Sequence, residues 1–301
     1  MHLRISAALL LMVASVAAAD DVRCRSRVMF PGATRAVTIP FERTRNGVFV
    51  RARVNGRPES LWFVIDSGAA RTVISETAAK KVGLRATEKA ILAGAGAGAV
   101  PVTVARNVTV SVDDVNVERI DVRVANLNGL TPAWGRPVDG ILGFDLLCHS
   151  VLIIDYDAKK MMIVHPAVFH YNGGGETLPL TISGGWPFVE GTIKVTGRPA
   201  VIDNFLIDSG SQDAVNHPII RDSKGPLKKV STGVGLGHSL AGVLGPNEWF
   251  RLGRYTIGST QSACCAANEQ VSRQIGAEVL SRFRVTFDYP HRQLILERAT
   301  R

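Results

Sequence analysis

Two Asp-Ser-Gly triplets, Asp66-Ser67-Gly68 and Asp208-Ser209-Gly210, carry the residues best suited to chemistry. Each Asp follows an apolar run directly, Phe63-Val64-Ile65 in one case and Phe205-Leu206-Ile207 in the other. Such runs predict buried strands whose ends present a carboxylate where the chain turns. Gly68 and Gly210 let the backbone turn closely, and the hydroxyls of Ser67 and Ser209 can bond the backbone of an opposing loop. Two carboxyls within hydrogen-bond reach cannot both ionise easily, so such a pair keeps one proton. The ionised member can draw a proton from water while the neutral member donates to a carbonyl oxygen gaining charge. That chemistry needs no metal and no cofactor. A lone Asp-Ser-Gly is ordinary turn chemistry; what matters is that the two copies occupy equivalent places.

Their surroundings repeat. Gly47-Val48-Phe49-Val50, Val54-Asn55-Gly56-Arg57-Pro58 and the first Asp motif are answered by Pro187-Phe188-Val189, Val195-Thr196-Gly197-Arg198-Pro199 and the second. Downstream, Leu142-Gly143-Phe144-Asp145-Leu146-Leu147 is answered by Ile275-Gly276-Ala277-Glu278-Val279-Leu280, and Asp155-Tyr156 by Asp288-Tyr289. The repeats span 37–165 and 176–301, joined by a linker at 166–175. Within them Val102, Val104, Val108, Val110 and Val112 alternate with polar residues, as do Val115, Val117, Ile120, Val122 and Val124. This is a strand pattern. A short helix is predicted between an N-cap at Ser75 and Gly83, and two more after Gly143 and Gly276. Asp155 and Asp288 each precede a basic turn and are read as hairpin-end residues. The expected architecture is all-β, two homologous lobes about a pseudo-twofold axis, with a few short helices.

The chain resembles the retropepsin-like and pepsin-like aspartic peptidases, in particular bacterial exported forms with two fused lobes. The resemblance rests on Phe63 to Ser75, Ala78 to Leu84 and Val138-Asp139-Gly140-Ile141-Leu142-Gly143, with their second-lobe partners. It implies acid-protease-type β-barrel lobes and an endopeptidase using Asp66 and Asp208. Ser67, Gly68, Ala69, Ser209, Gly210 and Ser211 would support the active-site loops. In that family an apolar-apolar-Gly element crosses beneath the catalytic loop; Ile141-Leu142-Gly143 fits, whereas Gln274-Ile275-Gly276 departs in its polar first residue. The family's substrate-covering flaps would fall at Gly94, Gly96 and Gly98, and at Gly233, Gly235 and Gly237, without the aromatic residue of pepsin-like flaps. The position after each triplet differs, Ala69 against Ser211. A Ser211 hydroxyl donating to Asp208 would favour the ionised form there and leave Asp66 the proton.

The 301 residues suffice for two domains, and 46% hydrophobic with 20% charged residues is globular composition. Met1 to Arg4, the apolar Ile5 to Val16 and Ala17-Ala18-Ala19 have the layout of a signal peptide over 1–19. Residues 20–36 then form an N-terminal extension, and the mature protein is expected to be exported, periplasmic or secreted. The net charge of +9 favours weak association with anionic envelope surfaces. No dense basic run interleaved with aromatics points to nucleic acid. Cys24, Cys148, Cys264 and Cys265 allow one or two structural disulfides, with the pairing open.

Rival readings are weaker. Gly237-His238-Ser239-Leu240-Ala241 resembles a nucleophile elbow, but Gly242 and Gly245-Pro246 leave no helix to follow it. Gly94 to Ala99 loosely matches a dinucleotide fingerprint, yet Pro101 and alternating valines follow. The alternative of another class is an inactive two-lobed binder of peptides or envelope polymers. Pairing of each lobe with another chain is disfavoured by the short linker, so a monomer acting on polypeptide is expected.

Overall fold

Strands dominate because β-branched residues recur at alternate positions with turn formers between them. The computed structural model describes residues 23–93, 99–232, 240–264 and 272–298. The expected signal segment 1–19, the six flap glycines (94, 96, 98, 233, 235 and 237) and Cys265 lie outside the described residues. Among the described residues, no helix is long and apolar enough to cross a membrane.

The fold is all-β with two lobes. In the first, Ala99–Val112 and Val115–Ala125 form a long hairpin in which the predicted alternating residues are buried. The shift in parity between Val117 and Ile120 coincides with left-handed Arg119 (φ 58°) and a register shift. The first-lobe sheet runs through Arg27–Met29, Val115–Ala125, Val73–Ser75, Gly140–Leu142, Leu61–Ile65, Gly47–Val54 and Ala99–Val112. The hairpin pairing closes it on itself. In the second lobe, Lys228–Thr232, Leu240–Pro246, Gln261–Cys264, Val215–Asn216, Gln274–Ile275, Val201–Ile207, Trp186–Lys194, Trp249–Leu252 and Tyr255–Gly258 follow in order. Leu240–Pro246 being a strand, the residues after Ser239 do not form the helix a nucleophile elbow requires.

A third sheet of six strands joins the lobes. Its centre pairs Val151–Asp155 with Phe283–Asp288, and each of these forms a hairpin outward, with Lys160–Val164 and Gln293–Arg298. Ala36–Pro40 and Glu176–Pro179 complete the two edges, so the sheet reads alike from either side. One buried apolar cluster runs from Phe63 and Leu142 through Leu152, Ile154 and Phe287 to Phe205 and Ile275. The two lobes and the interlobe sheet therefore share a core, and the two Asp-bearing strands are anchored in it.

The short helices sit where capping chemistry places them. Glu76–Lys81 starts at Ser75, whose hydroxyl accepts from the Ala78 N–H, and Gly83 follows at φ +66°. Phe144–Leu147 and Ala277–Leu280 follow Gly143 and Gly276. Cys24 is bonded to Cys148, fastening the N-terminal stretch beside the first of these helices, and Arg27–Met29 adds a strand to Val115–Ala125. Cys264 is also disulfide-bonded. Asp155 and Asp288 close hairpin turns, accepting the N–H groups of Ala158 and His291.

Candidate active site

Each Asp is delivered by the same construction. Gly140–Leu142 runs parallel to Leu61–Ile65 with Leu142 opposite Ile65, and Gln274–Ile275 runs parallel to Val201–Ile207 with Ile275 opposite Ile207. The next amide then bonds back across the pair: Asp66 N–H to the Leu142 carbonyl at 3.0 Å, Asp208 N–H to that of Ile275 at 2.9 Å. The turn is stitched to the following helix through Phe144 N–H to Ala69 O and Ala277 N–H to Ser211 O.

The serines then clasp the turns together. Ser67 Oγ donates to the Ile207 carbonyl (2.7 Å) and accepts the Ser209 N–H (2.9 Å). Ser209 Oγ donates to the Ile65 carbonyl and accepts the Ser67 N–H, both at 3.0 Å. Both hydroxyls are buried, and among the described residues each meets its donor and acceptor needs through the other lobe. The glycines are required by this proximity. A Cβ at Gly68 would stand 2.5 Å from Asp208 Cγ, and one at Gly210 would overlap the Asp66 carboxyl.

The two carboxyls consequently share a hydrogen bond. Both remain partly exposed, yet the enclosing turns strip enough water to raise both pKa values above the ordinary carboxylate value. After burial, the Asp66 charge further opposes ionisation of Asp208. The N–H groups of Gly68 and Ala69 work against the rise at Asp66, and those of Gly210 and Ser211 at Asp208. A pair coupled in this way titrates as a unit, its protons leaving in two macroscopic steps.

Three contacts were not anticipated from sequence. Gln274, 6% exposed, donates its side-chain N–H to Asp208 Oδ2 at 2.9 Å. Tyr289, beyond the end of the interlobe strand Phe283–Asp288, donates its buried hydroxyl to the Ser67 carbonyl at 3.1 Å. Gln212 bonds the Ala133 carbonyl of the first lobe. The polar residue at an otherwise apolar position was the only sequence signal for Gln274. The proposed role of Ser211 is corrected. Its hydroxyl accepts the Asp213 N–H at 3.3 Å, and no bond from it to the Asp208 carboxyl occurs among the described residues; it acts there through its main-chain N–H. The added donor to Asp208 is Gln274.

The two Gly-rich stretches are bracketed by hairpin strands, with Ala93 opposite Ala99 and Thr232 opposite Leu240. The strand Ala99–Val112 also disposes of the dinucleotide reading, which requires a helix there.

Residues 50–146 match the family model described as aspartyl protease. That span contains the first Asp motif and the Ile141-Leu142-Gly143 support, but not the second lobe. No curated protein matches the chain significantly.

Proposed function

We propose that the chain is an aspartic endopeptidase in which Asp66 and Asp208 together activate water against a peptide carbonyl. The observation that carries this reading is the reciprocal Ser67–Ser209 clasp, which holds two raised carboxyls in hydrogen-bond contact. The aspartyl protease match over the first lobe supports the same chemistry. In the singly protonated pair, the carboxylate takes a proton from water as its oxygen attacks the carbonyl carbon. The carboxylic acid donates its proton to the carbonyl oxygen as charge develops. Collapse of the gem-diol breaks the C–N bond as the Asp that took the water proton gives it to the departing amine and a gem-diol hydroxyl returns a proton to the other Asp, so the pair ends as it began. Since both carboxyls come from one chain, lobes at 37–165 and 176–301 acting as a monomer suffice. The N-terminal signal layout and the Cys24–Cys148 disulfide support export to an oxidising compartment.

The test is digestion of a peptide library between about pH 3 and pH 8 by the wild type, Asp66→Asn, Asp208→Asn and the double variant. Each single variant is expected to lose activity on the order of 10⁴-fold, and the double no more, because groups acting as a unit are not additive. Substantial turnover by either single variant would refute the shared site.

A further inference from the structure

The two carboxyls have matched main-chain donors and one unmatched side chain. Asp66 receives the N–H of Gly68 on Oδ1 at 2.8 Å and Asp208 that of Gly210 on Oδ1 at 2.8 Å; the next N–H in each turn, Ala69 or Ser211, also favours the charge. Among the described residues, only Asp208 has a further donor, Gln274 Nε2 on Oδ2. The register shows why no counterpart exists. Gln274 lies opposite Leu206, two residues before Asp208, and Ile141 lies opposite Val64, two residues before Asp66. Ile141 is a buried hydrocarbon with nothing to donate.

We propose that Gln274 is a positioning residue that polarises the carboxyl pair, holding Asp208 as the anion and leaving the shared proton on Asp66. Its consequence for catalysis rests on the peptidase reading above: Asp208 then becomes the base toward water and Asp66 the acid toward the carbonyl. The Asp66 charge taken alone would place the proton on Asp208. That repulsion is reciprocal and cannot choose between two carboxyls, so groups outside the pair must decide. A donated N–H stabilises a carboxylate more than a neutral acid, and Gln274 supplies it to one side only. The other titratable and charged groups nearby are spoken for or neutral. Tyr156 and Tyr289 are buried phenols held protonated. Arg273, just before the strand, and His217 both bond Asp203. Asp213 accepts from Asn216.

The experiment uses the full mature chain and two readouts. In ¹³C-Asp-labelled protein, the lower carboxyl titration step is expected at Asp208 Cγ in the wild type. In Gln274→Met, which keeps the length and removes the donor, that step should rise by about one to two pH units. The acidic limb of kcat/KM should move with it, and Gln274→Asn, which keeps an amide, should recover part of the shift. A lower step found at Asp66 in the wild type overturns the proposal without needing any variant to fold. So does an unmoved step in folded Gln274→Met. If the titrations behave as expected but the wild type cleaves no peptide, the peptidase reading fails and the polarisation stands.

Discussion

The two Asp-bearing turns share their hydrogen-bonded frame yet differ in what surrounds it. In the first lobe the supporting strand presents Ile141 and the buried Thr72 hydroxyl donates to Asp145 at 2.6 Å, an entirely structural use of a carboxylate. In the second lobe the corresponding strand presents Gln274 to Asp208, and Glu278, which stands where Asp145 does, faces outward to Arg282. The first lobe spends its polar groups on fixing the turn to the following helix; the second directs one at the carboxyl pair. The tyrosines differ as well: Tyr289 braces Ser67 of the other lobe, whereas the Tyr156 hydroxyl is buried without a partner among the described residues. Symmetry is therefore kept where the carboxyls must meet and broken where their chemistry can be biased.

The largest effect should come where the lobes are most alike. Gly68→Ala and Gly210→Ala each put a methyl into the space of the opposite carboxyl. The pair must separate, and misplacement by about 1 Å costs on the order of 10²-fold. Both variants should lose kcat/KM by at least that factor while circular dichroism shows the fold retained. Loss in one lobe only would mean that the turns are not equivalent.

Much of this equivalence was legible in the chain. Apolar runs ending in Asp-Ser-Gly, alternating valines and the Ser75 cap are local signals, and local signals report buried strands and helix starts well. Gln274 was visible only as an anomaly, because its target depends on the parallel register that sets it against Leu206. Tyr289 could not be read as a brace for Ser67, since that contact follows from pairing Val151–Asp155 with Phe283–Asp288 across the lobes. Ser211 was misread because residue type gives a hydroxyl's reach but not its direction.

The tyrosine difference predicts opposite signs in stability. Tyr289→Phe removes a donor from a buried carbonyl and should destabilise by about 1 kcal/mol. Tyr156→Phe removes a buried hydroxyl without a partner among the described residues and should be neutral or stabilising by a similar amount. Urea unfolding of the two variants beside the wild type measures both. Equal losses would mean that Tyr156 is hydrogen-bonded and the lobes are braced alike.

The smallest effect concerns stability against pH, to which both lobes contribute a carboxyl. Burial raises the folded pKa of both Asp66 and Asp208, whereas in the unfolded chain each titrates at about 3.9. The folded protein thus keeps a proton that the unfolded chain releases. The contribution is fully present below about 3.9 and is lost as pH rises through the raised folded values. Asparagine at either position removes one titrating group and relieves the other of its like-charged partner. Asp66→Asn and Asp208→Asn should therefore both flatten the decline in Tm between acid and neutral pH, converging with the wild type in acid. Partial exposure lets solvent screen the pair, so the gain at neutral pH should stay below about 1 kcal/mol, or about 2 °C in Tm. Because Gln274 favours the anion at Asp208, Asp66→Asn, which leaves that supported carboxyl, should flatten the decline more than Asp208→Asn. Scanning calorimetry across that range would break the comparison if Asp208→Asn flattened the curve as much.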